Sequence, residues 1–490
     1  MTTATSANGT FPRPDLRSFV DGVHVESADS AELGSINPAN GDLLWTLPAG
    51  SPDDVDLAVG AARRALARGV WNDPVARVEA LARLADLVER HTDRLALLDT
   101  LEVGIPLGIT MADVPAAAQI ARDLLGMVPE VSADAVPPAC RVPRGVVAVI
   151  SPWNFPFFVA FTKVVPVLAM GNCVVLKPSE TSSASAMLLA ELAIEAGLPA
   201  GVLNVVAGRG DVVGTALVAH EGIDLVNLTG SLATGRQVLT ASAATSLVPV
   251  MTELGGKSAH LVGEHAPDLD VVADAIAASI FWAAGQVCTA GSRLIVHGRH
   301  HDALLELLVD RAAQWRPGDP MDLTRQAGPL ATEAHRTSVD RAVRRAVEDG
   351  GRLVCGGAAV DGPGWYYEPT IVDGVGADHP LFLDEVFGPV LAVTTCASTT
   401  EGIALANATK YGLSATGWSA EETETRLLAD GLRAAWVTVN PHLGPPSDPR
   451  AGAESIGWSG SGVEGGLPTL RAATRLTVVS VAVPTSDGRT

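Results

Sequence analysis

The heptapeptide GQVCTAG, residues 285–291, places Cys288 among small residues directly after the apolar run IAASIFWAA. A thiolate is a soft nucleophile that also leaves readily, and only the ionised form reacts. A free cysteine has a pKa of about 8.5, so a few per cent is thiolate at neutral pH. The flanking glycines permit close approach of another molecule, and neighbouring N–H groups could lower that pKa. A buried, inert thiol is the other reading of the same residue.

Thirty-five residues earlier, MTELGGKSAH puts Glu253 at the end of an apolar strand, before a double glycine. Partial desolvation there would raise the carboxyl pKa towards that of a useful general base, whereas a structural glutamate with a partner fits the same text. SPWNFP, residues 151–156, follows another apolar strand and projects one uncharged amide, Asn154, between two prolines. Such an amide could donate to an oxyanion, or it could hydrogen-bond its own backbone in a turn. LKPSE, residues 176–180, ends the next strand with Lys177 and Glu180, which could hold the hydroxyls of an adenosine ribose or form a solvated pair. A carboxylate at that point repels a 2′-phosphate, which favours NAD over NADP. GRGDVVG, residues 208–214, is one residue too long for a G-x-G-x-x-G fingerprint. LTGSLATG, residues 228–235, is a strand end running into a helix start, a seat for a pyrophosphate or a plain cap by Ser231.

These residues need elements to position them. Between residues 145 and 255 the runs GVVAVI, CVVLK, LNVVA and IDLVNL each precede a helical stretch, and LVPVMTEL closes the series. Continuous apolar strands linked by crossover helices predict a doubly wound, nucleotide-binding α/β sheet with ligands at the strand carboxyl ends. A second alternating region runs from about 256 to 440. Ahead of both lies a helix-rich opening, with a capping-box start at Ser51 and Asp54 and further helices over about 74–98 and 112–126. The first 30 or so residues read as a ragged arm, residues 441–466 as a long loop, and RLTVVSVAVP as a final strand.

The 490 residues exceed one ordinary core, and 47% are hydrophobic. A net charge of −21 argues against nucleic acid or anionic membranes as partners. Five cysteines without a CxxC pair argue against a disulfide framework or a zinc site, so no metal is expected and a reduced, cytoplasmic setting fits. No basic-then-apolar leader opens the chain, and Pro152, Pro156, Lys163 and Pro166 interrupt its most apolar long stretch.

Taken in order, SPWNFP, KPSE, LTGS with Gly235, TELGGK, GQVC and DEVFGPV (residues 384–390) resemble the aldehyde dehydrogenase superfamily, as do INPANGDLL, LEVGIPL and SGSGVEGG. The resemblance implies an α/β fold with a Rossmann-type cofactor domain over 1–124 and 144–255 and an α/β catalytic domain over 256–458. It also implies a small β oligomerisation arm over 125–143 and 470–485, and hence a homodimer or homotetramer. It gives Cys288 the nucleophile's role, Glu253 that of the base that activates water, and Asn154 that of an oxyanion donor. Lys163 and Glu464 match a proton-relay pair. Lys177 and Glu180 fall at the adenosine ribose; Gly210, Gly214, Gly230 and Ser231 fall near the diphosphate. Ser151, Pro152, Trp153, Leu254, Gly255, Glu385 and Phe387 line the rest of the cofactor site. The implied reaction oxidises a small-molecule aldehyde to an acid with NAD, or NADP, through a thiohemiacetal and a thioester. Glu253 disfavours acyl transfer to coenzyme A. A noncatalytic relative with a binding or structural role is the alternative. The chain departs from the family's common text at Ile105, Thr162, Leu228, Ala283 and residues 448–462, and the expectation drawn is a bulky aldehyde with Trp458 forming part of a new wall.

Overall fold

The computed structural model describes residues 3–6, 9–441 and 448–481. Five parallel strands form the heart of the first sheet: β1 (Val146–Ile150), β2 (Cys173–Lys177), β3 (Leu203–Val205), β4 (Leu225–Thr229) and β5 (Val250–Glu253). Their spatial order is β5-β4-β1-β2-β3, with the order reversing at β1. Every residue of β1 and β2 is buried, which explains their unbroken apolar text. The predicted doubly wound sheet is present.

A second seven-stranded sheet follows. Its strands are β6 (Ala259–Val262), β7 (Arg293–His297), β8 (Arg352–Cys355), β9 (Thr370–Asp373), β10 (Val390–Cys396), β11 (Ser414–Trp418) and β12 (Trp436–Val439). They lie in the order β8-β9-β10-β7-β6-β11-β12, parallel except for β8 against β9. The segment after β1 meets the one that leads into β7, and the segment joining β5 to β6 meets the one that leads into β10. The site is assembled at that junction.

Several expectations are corrected. The opening is not merely ragged: a hairpin, Phe19–Val20 with Val23–His24, buries Phe19 and Val20 and extends the first sheet beside β3. The helical text at 74–98 is two helices, Pro74–Arg90 and Thr92–Val103, divided at His91. The helix placed at 112–126 runs over Leu107–Ala133 and contains Pro115 and Pro129. Each proline removes a helical hydrogen bond, but Leu124, Leu125, Val128 and Val131 bury enough apolar surface to carry the helix past them. Residues 125–133 are therefore helix, and the strand of the arm is Ala139–Pro143, paired antiparallel with Thr474–Val478. Residues 482–485 of the expected arm, and the last residues of the expected final strand, lie outside the described residues. The loop after β12 contains a short hairpin, Ala453–Glu454 with Val463–Glu464; its residues 442–447 also lie outside. Ser51 and Asp54 form the predicted capping box of the helix Pro52–Arg68.

Candidate active site

Helix α1 (Pro156–Ala169) follows β1 by way of Phe155, whose φ of 51° lets the chain reverse sharply, and Pro156 starts the helix. That turn aims Asn154 at the segment carrying Cys288, where its Nδ2 donates to the Gln286 carbonyl at 3.1 Å. The segment itself leaves helix α3 (Leu269–Phe281) through three consecutive left-handed residues: Ala283 (φ 50°), Ala284 (φ 56°) and Gly285 (φ 69°). Non-glycine residues in this region cost roughly 1–2 kcal/mol each, so neighbours must hold them. Gln286 does so. Its buried amide donates to Ala283 O at 3.3 Å and Pro329 O at 3.2 Å and accepts from Ala331 N at 2.9 Å. Gly285 admits no side chain, because a Cβ would sit 2.3 Å from the Gly388 carbonyl. The glycine before Cys288, expected to admit another molecule, is packed instead against the protein's own backbone.

Cys288 is half-buried, and among the described residues its backbone N–H has no hydrogen-bond partner. That N–H and the second Asn154 amide hydrogen are two donors without a partner among the described residues. The expectation of a lowered thiol pKa is not met at rest. Burial, then Glu464, Glu385 and Glu253, push the Cys288 thiol up to about 12, and its own N–H opposes them only weakly. Burial, added to by three carboxylates, outweighs the local dipole.

Glu253 ends β5 and is buried, with 6% of its surface exposed. Burial, with help from Glu464, raises its pKa to about 7; Lys163 and a hydrogen bond from Ser455 pull the other way. Ser455 Oγ donates to Glu253 Oε2 at 2.6 Å, and Oε1 has no partner among the described residues. Lys163, on α1, is buried with its Nζ 3.2 Å from Asn227 Oδ1 and 3.8 Å from the half-exposed Glu464. The structure brings these three charged residues together as expected. Ser455 and Asn227 escaped the sequence reading because each acts from a distant position, and Gln286 because its partners Pro329 and Ala331 lie far along the chain.

Along the first sheet, Ser151 N donates to Lys177 O at 3.1 Å, which ties the start of SPWNFP to β2. Lys177 is buried and its pKa is lowered by burial, which Glu180 opposes. Its Nζ donates to Pro178 O at 2.8 Å and lies 3.4 Å from Glu180, a half-exposed carboxylate that accepts weakly from Gly210 N at 3.5 Å. Residues Gly210–Gly214 form a π-helical turn, and Gly214 packs on the Lys177 stem. Helix α2 (Leu232–Ala244) begins with Ser231 as its cap, accepting from Thr234 N at 3.1 Å, so the plain capping reading holds. A Cβ at Gly230 would meet nothing closer than 3.5 Å, which leaves the helix start open to a ligand. Leu254 packs against Gly235 and its N–H donates to Ser459 O at 2.8 Å. Gly255 has no room for a side chain: a Cβ would lie 1.9 Å from Glu385, whose Oε1 accepts from Gly256 N at 2.9 Å. Phe387 (φ 59°) stands edge-on to Trp153, the residue after Pro152, at 5.5 Å. His335, which the sequence reading missed, is kept neutral by burial and hydrogen-bonds the Phe387 carbonyl at 2.7 Å. An open helix start, a rim carboxylate over a glycine turn and an aromatic pair fit an elongated dinucleotide.

The Trp458 ring lies between the Arg236 guanidinium at 4.7 Å and Lys410 Nζ at 4.5 Å, edge-on to Tyr411. Next to Asn154, Phe155 stacks on Trp282 at 5.3 Å, over an apolar cluster that includes Ile105 and Ala283. Thr162 turns its hydroxyl back to the Phe158 carbonyl at 2.8 Å.

Comparison with known proteins agrees with this geometry. The model of the aldehyde dehydrogenase family matches residues 24–479. An aminoacetaldehyde dehydrogenase of Pseudomonas aeruginosa is 38% identical over 455 residues, 91% of each chain. A phenylacetaldehyde dehydrogenase of Pseudomonas fluorescens is 39% identical over 481 residues, 93% of this chain and 95% of its own. A mutant of the P. syringae indole-3-acetaldehyde dehydrogenase, solved with NAD+ and IAA, superposes with a TM-score of 0.92 at 37% identity, covering 95% of this chain and 96% of that one. The chain belongs to the aldehyde dehydrogenase family. It is an oxidoreductase whose reaction is the oxidation of an aldehyde.

Proposed function

We propose that the chain oxidises an aldehyde to its carboxylic acid with NAD, using Cys288 as a transient covalent anchor. The observation that carries this reading is the Asn154 amide bonded to the Gln286 carbonyl two residues before Cys288, whose own N–H is unpartnered, with the buried Glu253 carboxyl close enough to act on the thiol. Lys177, Glu180, Gly210 and Ser231 would hold the adenosine half and diphosphate of NAD, and Trp153, Glu385 and Phe387 the nicotinamide half. When bound, NAD supplies the hydride acceptor.

This chain's own groups do the rest. The sulfur attacks the carbonyl carbon as its proton departs to solvent, which leaves Glu253, with a pKa near 7, free as a base matched to neutral pH for the later step. The new oxyanion takes hydrogen bonds from Asn154 and the Cys288 N–H, and loss of hydride from the thiohemiacetal carbon leaves a thioester on Cys288. Glu253 then takes a proton from water as the oxygen attacks the thioester. Carbon–sulfur cleavage releases the acid and restores the thiol. Lys163 and Glu464 pass the proton outward.

The stacked Phe155 and Trp282 support an aldehyde with an apolar, bulky body; higher kcat/KM for short aliphatic aldehydes than for aromatic ones would refute that. The half-exposed Glu180 supports NAD over NADP. The paired strands at 139–143 and 474–478 leave Leu476 60% and Val478 67% exposed, which supports an arm that docks on a second copy in a homodimer or homotetramer. The two sheets and the paired strands support a division into a cofactor domain, a catalytic domain and this arm. Five free cysteines favour a reduced, cytoplasmic setting; among the described residues no helix is long and apolar enough to cross a membrane. The test is Cys288→Ala, which should abolish NADH production while NAD still binds. Turnover by that variant would end the reading.

A further inference from the structure

The segment carrying Ser455 is folded over Glu253 from several sides. Ala453–Glu454 pairs with Val463–Glu464, and the intervening turn is stitched to β5: Ser461 N and Gly462 N donate to Thr252 O at 3.1 and 2.9 Å, and Leu254 N donates to Ser459 O at 2.8 Å. Gly462 lies so close that a Cβ would be 2.5 Å from Glu253 Oε1. On the other side, the buried Ser455 hydroxyl donates to Oε2 at 2.6 Å. Among the described residues it is the only side chain hydrogen-bonded to this carboxylate. The charged and titratable groups facing Glu253 are Lys163 from α1, Glu464 from the hairpin and Cys288 from the nucleophile loop.

We propose that Ser455 is a positioning residue for Glu253, anchoring its carboxylate under the hairpin through the hydrogen bond to Oε2. The inference rests on reading Glu253 as the base that activates water. A donor on Oε2 favours the ionised carboxylate, which burial and Glu464 disfavour, so the hydroxyl keeps the base ready at neutral pH. It also restrains a side chain that must reach the thioester. Gly462 leaves Oε1 no room for an added side chain, so the bond at Oε2 sets where the carboxylate starts.

The test follows steady-state turnover and the first-turnover burst of NADH across pH, with phenylacetaldehyde and NAD as probes, for wild type, Ser455→Ala, Ser455→Thr and Glu253→Gln. In Ser455→Ala the acid limb of steady-state turnover should move up by about one pH unit, the size expected when one hydrogen bond to a charged group is lost. The acid limb of the burst, which reports hydride transfer, should stay in place, and Ser455→Thr should return the turnover limb towards wild type. Superposable limbs in wild type and Ser455→Ala overturn the proposal, as does a parallel shift of turnover and burst, which would mean an effect on Cys288. If the alanine variant does not fold, Ser455→Cys keeps the volume and weakens the donor; an unmoved limb in that variant overturns the proposal equally. Glu253→Gln should give a burst without turnover. Normal turnover by that variant removes the base assignment, and the inference with it, by a result separate from any at Ser455.

Discussion

Gly256→Ala offers a direct test of how tightly the nucleophile is held. A Cβ built at Gly256 would lie 2.5 Å from the Cys288 carbonyl oxygen, with Leu413 Cβ at 3.3 Å and Ser258 Oγ at 3.4 Å on its other sides. Ordinary contact starts at about 3.4 Å, so the carbonyl must retreat by roughly 0.9 Å, because the remaining neighbours leave the new methyl no other way out. The carbonyl belongs to the residue whose sulfur attacks, and a misplacement of ~1 Å at a reacting centre can cost about a hundredfold in rate. The expected loss in kcat/KM is therefore on the order of 100-fold, or about 2.7 kcal/mol of barrier. NADH production across a range of aldehyde concentrations measures it, with NAD binding followed separately by fluorescence. Gly126→Ala is the control: it lies inside the helix Leu107–Ala133, and a Cβ there meets nothing within 4 Å. That change should leave the rate alone and stabilise the helix by about 0.5–1 kcal/mol. A Gly256→Ala enzyme within threefold of wild type would show that the Cys288 position does not limit the rate, and the reasoning would fail.

Asn154→Ala removes one of the two oxyanion donors and should lower kcat by about 100- to 1000-fold with little change in KM; a raised KM with kcat unchanged would point to a binding role instead. Glu424 governs acid stability. Burial alone would raise its pKa, but hydrogen bonds from Ser419, Thr399, His265 N and Glu264 N outweigh burial and hold it down to about 2. A depressed folded-state pKa means stability that is present above about pH 4.5 and lost as pH falls towards 2. Glu424→Gln should flatten the drop in melting temperature over that window, and an unchanged profile would count against the pair of loops it ties together. Turnover should rise with pH through about 7 as Glu253 ionises; a flat profile from pH 6 to 8 at saturating substrate would argue against its role.

Much of the site was readable in the chain because its parts sit where periodic text breaks. Asn154, Lys177, Ser231 and Glu253 each stand at or just beyond the end of an apolar run, and strand ends in a parallel sheet are where ligands gather. The capping box at Ser51 and the five buried strands were visible for a related reason, since short-range propensity and the period of buried residues are local properties. The opening hairpin was not visible, because two-residue strands have no period, and Phe19 joins the sheet only through β3, far along the chain. The long helix through Pro115 and Pro129 was cut short for the opposite reason: local breakers were overruled by burial against other helices.

Residue types and their spacing marked a thiol, a carboxyl and an amide as candidates at the ends of apolar runs, and it was the resemblance to a family that chose their roles. Types and spacing could not say that burial and the charges of Glu464, Glu385 and Glu253 push the thiol up to about 12, that Ser455 grips the base, or that Gln286 braces two left-handed alanines. Those facts depend on groups up to about two hundred positions apart in the chain. Electrostatic and contact energies fall off with distance through space, and only the folded chain sets that distance.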